Sequence, residues 1–229
     1  MSFSPRTGVV VQMRMDSKRL PGKALLPLGG TTLAGMVMRA LHALAADEHI
    51  LATDSEGASK LARVARENGF TVFEGPKDDV LARYAMAAEK YALDRVVRAT
   101  GDNPFVSIEL ARLAMDLSVE PQADYTGLLG MPVGMGVEVI KVTALNEAHR
   151  YATAPYDREH VCPYIYNHPE QFKILRPKCP FSHWLPEGRL TIDTEADYQS
   201  AIEIIGALGN SPGDAGLLSW LRSSMKGVR

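Results

Sequence analysis

The stretch that decides the fold is Val9–Lys23, which reads VVVQMRMDSKRLPGK. Its first residues are apolar and β-branched, and they predict a buried strand over 8–13. A loop of small and basic residues follows, and its cations are Arg14, Lys18, Arg19 and Lys23. An apolar strand that leads into such a loop is typical of α/β proteins that hold a polyphosphate at the end of their first strand.

The first half of the chain alternates between strand and helix patterns. Apolar periodicity predicts helices over 32–46, 55–68, 78–91 and 108–117, and short β-rich runs predict strands over 49–53, 71–74 and 95–99. Ser55 is the predicted N-cap of the second helix, and Gly69 is expected just after its C-cap. This order predicts a mainly parallel sheet with right-handed crossovers and ligands at the carboxyl ends of its strands.

After about residue 120 the pattern changes, and we expect a β-rich extension over about 120–190. Strands are predicted over 124–129, 137–142, 172–175 and 189–192, and helices over 143–151 and 194–208. Thr194 is the predicted N-cap of the last helix. Since no repeat, low-complexity tract or linker interrupts the chain, residues 1–229 are expected to form a single domain.

Composition narrows the class of protein. Of the 229 residues, 46% are hydrophobic and 23% charged, and the net charge of −2 argues against a dedicated nucleic-acid binder. Two cysteines, Cys162 and Cys179, are too few for a disulfide framework, so a reduced cytoplasmic protein is expected. The N-terminus lacks the apolar core of a signal peptide, and no run reaches the roughly 18 apolar residues of a membrane span. We therefore expect no membrane association.

The basic loop has the chemistry to bind a triphosphate. Its cations can make charge-assisted hydrogen bonds to phosphate oxygens. The Walker A pattern and the GxGxxG fingerprint are both absent, and the second absence disfavours a dehydrogenase. A solvated loop is the alternative. The close spacing of four cations disfavours it, because they repel one another unless an anion is present.

Two carboxylates follow predicted strands. Asp102 lies in TGDNP at 100–104, and Asp193 lies in RLTIDTEAD at 189–197. Oxygen ligands in such positions can hold a hard cation. A turn or helix-capping role is the alternative for both, and we favour capping for Glu195. Two strand-end carboxylates beside a basic loop favour a metal–nucleotide site.

Five motifs identify a family, and they span nearly the whole chain. They are QMRMDSKRLPGK at 12–23, DDVLARY at 78–84, RATGDNP at 98–104, PYDREHV at 155–161 and RLTIDTEAD at 189–197. In these motifs the chain resembles the SpsF-like cytidylyltransferases of spore coat polysaccharide biosynthesis. That group is related to the CMP-sialate and CMP-3-deoxy-manno-octulosonate synthetases. The resemblance implies an α/β, Rossmann-like nucleotide-diphospho-sugar transferase fold whose β-rich extension forms a homodimer.

The resemblance also implies an activity and its residues. It implies transfer of a cytidylyl group from CTP to a sugar, with release of pyrophosphate. By position it implies catalytic roles for Arg14 and Lys23 on the triphosphate, with help from Arg19. Asp102 and Asp193 match ligands of Mg²⁺. The remaining nucleotide-binding candidates are Gln12, Arg83 and the Arg98–Thr100 stretch, of which we select Thr100.

The resemblance places the acceptor near the PYDREHV motif and the second strand of the extension. The expected acceptor residues are Glu138, Tyr156, Arg158 and His160. His160 as a structural histidine and Asp157–Arg158 as a local ion pair remain alternatives, as does a dimer interface. The turn PVGMGVE at 132–138 departs from the PDGxDVE of much of the group, which suggests an acceptor different from the usual one.

The sequence does not identify the acceptor. A 2-keto acid sugar and a sugar phosphate are favoured, and a phosphonate or polyol phosphate is the less favoured variant. From a different class, a non-catalytic nucleotide-binding scaffold of the same fold remains the alternative. The aromatic segment Phe181–Trp184 can stack on a sugar or pack as a loop.

Overall fold

The structure is a computed structural model that describes residues 5–119 and 122–226. The first four residues, part of the segment in which no signal-peptide core is predicted, lie outside these ranges. So does residue 120, the predicted start of the extension. Within the described ranges, no helix is long and apolar enough to cross a membrane.

Most strands form one seven-stranded sheet. The strands are β1 (Thr7–Gln12), β2 (Pro27–Leu28), β3 (Thr31–Thr32), β4 (Glu48–Thr53), β5 (Thr71–Glu74), β6 (Arg95–Thr100), β7 (Tyr125–Gly127), β8 (Glu138–Lys141) and β9 (Ile174–Leu175). The sheet order is β5-β4-β1-β6-β8-β7-β9, and β2 and β3 form a separate hairpin. Strands β5, β4, β1 and β6 are parallel, whereas β8 is antiparallel to both β6 and β7.

Helices cover the sheet. They are α1 (Leu33–Leu41), α2 (Ser55–Glu67), α3 (Val80–Lys90), α4 (Ile108–Val119), α5 (Val142–Tyr151), α6 (Pro155–His160), α7 (Pro163–Tyr166), α8 (Glu195–Leu208) and α9 (Asp214–Lys226). Val9 and Val11 pack in one core with α1, α2 and α4, and Val10 packs in the opposite core with α3 and α5. The apolar run of β1 is continuous because both faces of the strand are buried. The Rossmann-like, mainly parallel sheet predicted from the sequence is confirmed.

The helix ends confirm some cap predictions and correct one. Asp54, not Ser55, caps α2, since its Oδ1 accepts from the backbone N–H of Gly57 at 2.8 Å. Gly69 has φ +75° just after the C-cap, as predicted. Thr194 caps α8 in a capping box with Asp197, also as predicted.

The predicted strand over 189–192 is wrong. Its ladder is limited to one bridge between Val133 and Arg189. This bridge lies outside the strands of the sheet, and the N–H of Ile192 donates to the carbonyl of Asp102 at 2.8 Å. It cannot continue as a strand because it crosses the end of β6. Sequence analysis made no prediction for α9.

The strand order determines where a ligand can enter. From β1 the chain adds β4 and β5 on one side, and it then returns to add β6 on the other side of β1. In open α/β sheets this reversal leaves a crevice at the carboxyl ends of the two strands. Here those strands are β1 and β6, which lead into the basic loop and into Asp102.

Candidate functional site

A cavity of about 470 Å³ lies at the carboxyl ends of β1 and β6. Its lining residues are Gln12, Met13, Arg14, Ser17, Lys18, Arg19, Lys23, Ala24, Val80, Arg83, Arg98, Thr100, Gly101, Asp102, Glu159, His160 and Asp193. The cavity thus brings together every predicted site residue except Glu138, Tyr156 and Arg158. Sequence analysis did not select Glu159, whose signal is its place in the PYDREHV motif beside His160.

One side of the cavity is built from the basic loop and the two carboxylates. We call this the loop side, and it comprises Arg14, Lys18, Arg19, Lys23, Asp102 and Asp193. At its centre Lys23 Nζ lies 3.3 Å from Asp102 Oδ2 and 3.1 Å from Asp193 Oδ1. The same ammonium donates to the carbonyl of Ile192 at 2.7 Å. Two carboxylates that are distant in sequence therefore converge on one positive charge.

The loop reaches this point because it folds back over the strand end. Gly22 has φ +69°, a conformation that a residue with a side chain rarely adopts. Its N–H donates to the carbonyl of Met15, and a short 3₁₀ helix, Lys23–Leu25, begins immediately after it. The Pro21–Gly22 turn therefore places Lys23 next to the carboxylates of Asp102 and Asp193.

Protein carboxylates compensate most of the loop cations. Arg19 Nη2 lies 3.1 Å from Asp193 Oδ1, and Arg14 has contacts of 3.4 Å to Asp16 and Glu159. The mutual repulsion expected from the sequence is therefore reduced without an external anion. Lys18 makes no ion pair with any residue that the structure describes.

The donor set of the loop side fits a hard divalent cation. Asp102 and Asp193 offer carboxylate oxygens, the ligand type that Mg²⁺ prefers, and both already contact the same ammonium. Their side chains are 28% and 17% exposed, so each remains reachable from the cavity. The ammonium of Lys23 shows that positive charge is stabilised at this point.

A second group with metal-ligand chemistry lies outside the cavity lining. Ligand atoms of Glu109, His183 and Asp214 lie within 4.8 Å of one another, and these three side chains could hold a metal ion. His183 Nε2 lies 3.0 Å from Asp214 Oδ2. The two acids lie in the first turns of α4 and α9, where helix dipoles favour negative charge. Sequence analysis did not identify this group.

The other side of the cavity is built from the sheet and α3. We call it the sheet side, and it comprises Gln12, Arg83, Arg98 and Thr100. Arg98 pairs with Glu138 on the neighbouring strand, and its Nη2 donates to Gln12 Oε1 at 3.2 Å. Burial alone would lower the pKa of Arg98, but the carboxylate of Glu138 outweighs burial and raises it.

Arg83 is the most deeply buried charge of the sheet side. It is 1% exposed, and its Nη1 donates to the carbonyl of Pro76 at 3.0 Å. Its Nε has no partner among the described residues, and burial lowers its pKa. A guanidinium carries five N–H donors, and among the described residues Arg83 uses one of them, in its hydrogen bond to Pro76.

The four predicted acceptor residues are not together in the cavity. His160 lines it, and its ring centroid lies 4.3 Å from that of Tyr156, which is 60% exposed. Arg158 pairs with Asp79 rather than with Asp157, and it connects α6 to α3. Glu138 pairs with Arg98 and does not line the cavity.

The backbone changes direction sharply beside His160. Val161 is buried and has φ +73°, while the N–H of Cys162 donates to the carbonyl of His160. Strain of this kind in a β-branched residue persists only where the surroundings impose it. The turn fixes the end of α6, which carries Glu159 and His160 to the cavity.

The turn at 132–138 contacts the residues that precede Asp193. Gly134 has φ +97°, and a Cβ there would lie 2.9 Å from the backbone nitrogen of Thr191. The N–H of Leu190 also donates to the carbonyl of Val133. The turn therefore packs on the segment that leads to Asp193. Neither Phe181, which is 91% exposed, nor Trp184 lines the cavity.

Comparison with known proteins agrees with the motifs. A cytidylyltransferase family model matches residues 8–210. The chain is 34% identical over 210 residues to the spore coat polysaccharide biosynthesis protein SpsF of Bacillus subtilis (strain 168), covering 89% of this chain and 88% of that protein. It is 30% identical over 197 residues to the 3-deoxy-manno-octulosonate cytidylyltransferase of Psychrobacter sp. (strain PRwf-1), covering 78% and 70%.

A solved structure is similar along almost the full length of the chain. A cytidylyltransferase from Leptospira borgpetersenii serovar Hardjo-bovis (strain JB197) matches with a TM-score of 0.87 at 30% identity, covering 97% of this chain and 96% of that one. Together with the match over residues 8–210, this shows that the protein is an enzyme of the nucleotidyltransferase class and belongs to the cytidylyltransferase family.

Proposed function

We propose that the protein transfers a cytidylyl group from CTP to a sugar, forming its CMP or CDP derivative and releasing pyrophosphate. The observation that supports this most is the convergence of Asp102, Asp193 and Lys23 beside the basic loop. It combines cations for a triphosphate with oxygens for a metal in one cavity. Residues 1–229 are proposed to work as one domain in the cytoplasm.

The proposed chemistry is an in-line displacement. An oxygen of the acceptor attacks the α-phosphorus of CTP, and pyrophosphate departs with the bonding electrons. Arg14 and Lys23 hold the triphosphate, and Arg19 assists. Because the protein forms no covalent bond in such a step, its contribution is positioning and electrostatic stabilisation.

Asp102 and Asp193 are the proposed ligands of Mg²⁺. When bound, the ion supplies charge stabilisation at the phosphate oxygens. Lys23 now pairs with both carboxylates, so it has to leave them to reach the triphosphate. The negative charge of CTP provides the replacement partner for its ammonium.

Arg83 and Thr100 are the proposed nucleotide residues of the sheet side, together with Gln12. The edge of cytosine presents two adjacent acceptors, N3 and O2, and a guanidinium can donate to both. Uracil carries a hydrogen at N3 and cannot accept there. Free donors on the buried Arg83 therefore support a preference for CTP over UTP.

The acceptor is proposed to be a 2-keto acid sugar or a sugar phosphate. His160 is its best-placed candidate contact, because it lines the cavity at the end of α6. Direct contacts from Glu138, Tyr156 and Arg158 require an acceptor that extends beyond the lining, or a movement of α6. A polyol phosphate or a phosphonate is the less favoured acceptor.

A homodimer is proposed through the extension. Phe181 and Val133 are 91% and 51% exposed, and Trp184 and Leu129 are also exposed. Large apolar side chains grouped in one region are typical of surfaces that a partner covers. A monomer mass that does not change with concentration in light scattering would contradict the dimer.

The discriminating experiment is pyrophosphate release from CTP with a pool of sugars, sugar phosphates and 2-keto acid sugars. We expect release that depends on Mg²⁺ and on one acceptor class. Binding of CTP without release from any acceptor would instead support the non-catalytic scaffold. Equal turnover of UTP would contradict the proposed nucleotide.

A further inference from the structure

Gln12 is the last residue of β1, and its side chain borders the cavity. Its Oε1 accepts from Arg98 Nη2 at 3.2 Å. A guanidinium has donors only, so the oxygen of the amide must face Arg98. The N–H₂ group of Gln12 therefore faces away from Arg98, and it makes no hydrogen bond to any residue within the described ranges.

Arg98 is itself held rigidly. It lies directly opposite Glu138 in the β6–β8 register, and the two side chains are only 12% and 23% exposed. Glu138 also accepts from the hydroxyl of Tyr125 at 2.7 Å. The positions of these three side chains follow from strand pairing, so the direction of the Gln12 amide is fixed before any ligand binds.

We infer that Glu138 and Arg98 are positioning residues that hold the amide of Gln12 as a hydrogen-bond donor to an oxygen of the nucleotide. The inference rests on the proposed function, and it replaces the direct acceptor contact expected of Glu138. The backbone carbonyl of Gln12 accepts from the N–H of Gly101, so Gln12 lies beside the strand end that carries Asp102. The partner is an oxygen of the nucleotide that can accept a hydrogen bond.

Two variants of Gln12 separate this role from simple packing. Gln12→Glu keeps an acceptor for Arg98 but removes the donor, and Gln12→Met removes both without adding charge. We expect Gln12→Glu to retain the wild-type Tm, and both variants to lose about 10- to 100-fold in kcat/KM for CTP, the scale of leaving a desolvated acceptor without its donor. Wild-type kcat/KM in either variant would overturn the inference.

A double-mutant cycle tests the action of Glu138 through Gln12. We expect Glu138→Gln to lower kcat/KM for CTP in the wild-type background and to add little in the Gln12→Met background. If the losses are additive and appear in the acceptor KM, Glu138 contacts the acceptor and the inference is wrong. Tyr125→Phe removes only the hydroxyl that donates to Glu138, and it replaces Glu138→Gln in the cycle if the latter does not fold.

A direct readout uses the side-chain amide of Gln12. In ¹⁵N-labelled protein its NMR signals are those absent from Gln12→Glu, and CTP should shift them in the wild type but less in Glu138→Gln. If CTP binds to the wild type and the chemical shifts of the Gln12 amide do not change, the inference is contradicted. If the wild type binds CTP but releases no pyrophosphate with any acceptor, the proposed function fails while the amide shift still tests the donor.

Discussion

The loop side and the sheet side of the cavity hold their charges in opposite ways. On the loop side, Lys23 pairs with the carboxylates of Asp102 and Asp193. Arg19, which also pairs with Asp193, is 64% exposed. On the sheet side, Arg98 has one largely buried carboxylate partner and an uncharged neighbour, Gln12. The exposed pairs of Arg14 and Arg19 exchange partners readily. Lys23 is about as buried as Arg98, but it has two carboxylates, whereas Arg98 would be left as a desolvated charge if it lost its one carboxylate. The comparison indicates that the loop side rearranges around a ligand and that the sheet side is preformed.

The largest effect tests the carboxylates of the loop side. Asp102→Asn and Asp193→Asn should each lower kcat about 10³-fold or more at saturating Mg²⁺, since metal charge stabilisation amounts to several kcal/mol. The Tm should change little, because neither side chain is in the core. Asp116→Asn, an exposed acid on α4, is the control. Near wild-type activity in either variant would favour the turn or capping interpretation for that residue.

The second-largest effect is expected for substitution of the loop-side cations. Lys23→Ala and Arg14→Ala should each lower kcat/KM for CTP by roughly 10²-fold, the scale of one lost hydrogen bond to a charged group. Both kcat and the KM for CTP should change, because charge builds on the departing pyrophosphate. Steady-state kinetics with each substrate varied would check this, with Lys60→Ala on α2 as the control. A change confined to the acceptor KM would assign the loop to the acceptor instead.

The next prediction compares how much each side of the cavity contributes to the free energy of unfolding. Glu138→Ala leaves the guanidinium of Arg98 largely buried without its carboxylate, which typically costs about 3–5 kcal/mol. Asp102→Ala, which removes an acid of the loop side, should cost much less. Urea unfolding of both variants measures the difference. Equal losses would show that the two sides are equally preformed and would break the comparison.

Arg83 tests whether the sheet side reads the base. Arg83→Lys keeps a positive charge but loses the paired donors, so it should lower kcat/KM for CTP more than for UTP. We expect the CTP/UTP ratio to fall about 10-fold or more. Since Arg83 is buried, the Tm of the variant must be measured alongside. An unchanged ratio would move base recognition to another group.

Sequence analysis predicted residues on both sides of the cavity, but it did not predict the pairing within the sheet side, and the reason is physical. Arg14 and Lys23 belong to one local motif, and Asp102 follows a strand whose apolar pattern is clear. The pairing of Arg98 with Glu138 depends on the register between β6 and β8, to which no local pattern points. The strand prediction over 189–192 was wrong for a similar reason, because the hydrogen bond from Ile192 to Asp102 is a tertiary contact to which no local pattern points.

The smallest predicted effect concerns Asp16, which lies in the basic loop and contacts both Arg14 and Lys77. The hydrogen bond from Lys77 lowers the pKa of Asp16 below its usual 3.8. A lowered folded-state pKa stabilises the fold above pH 3.8, and this contribution disappears as the pH falls through the folded value. Asp16→Asn should therefore lower Tm at pH 7 by about 3 °C or less, since exposed pairs contribute little.

The difference in Tm between Asp16→Asn and the wild type should narrow below pH 3.8, whereas Asp116→Asn should match the wild type throughout. Thermal unfolding followed by circular dichroism from pH 7 down to the lowest pH at which both proteins fold would measure it. A large, pH-independent loss in Asp16→Asn would mean that the loop side is held as rigidly as the sheet side. A small loss that disappears in acid is expected of a loop whose charges are paired but ready to exchange partners.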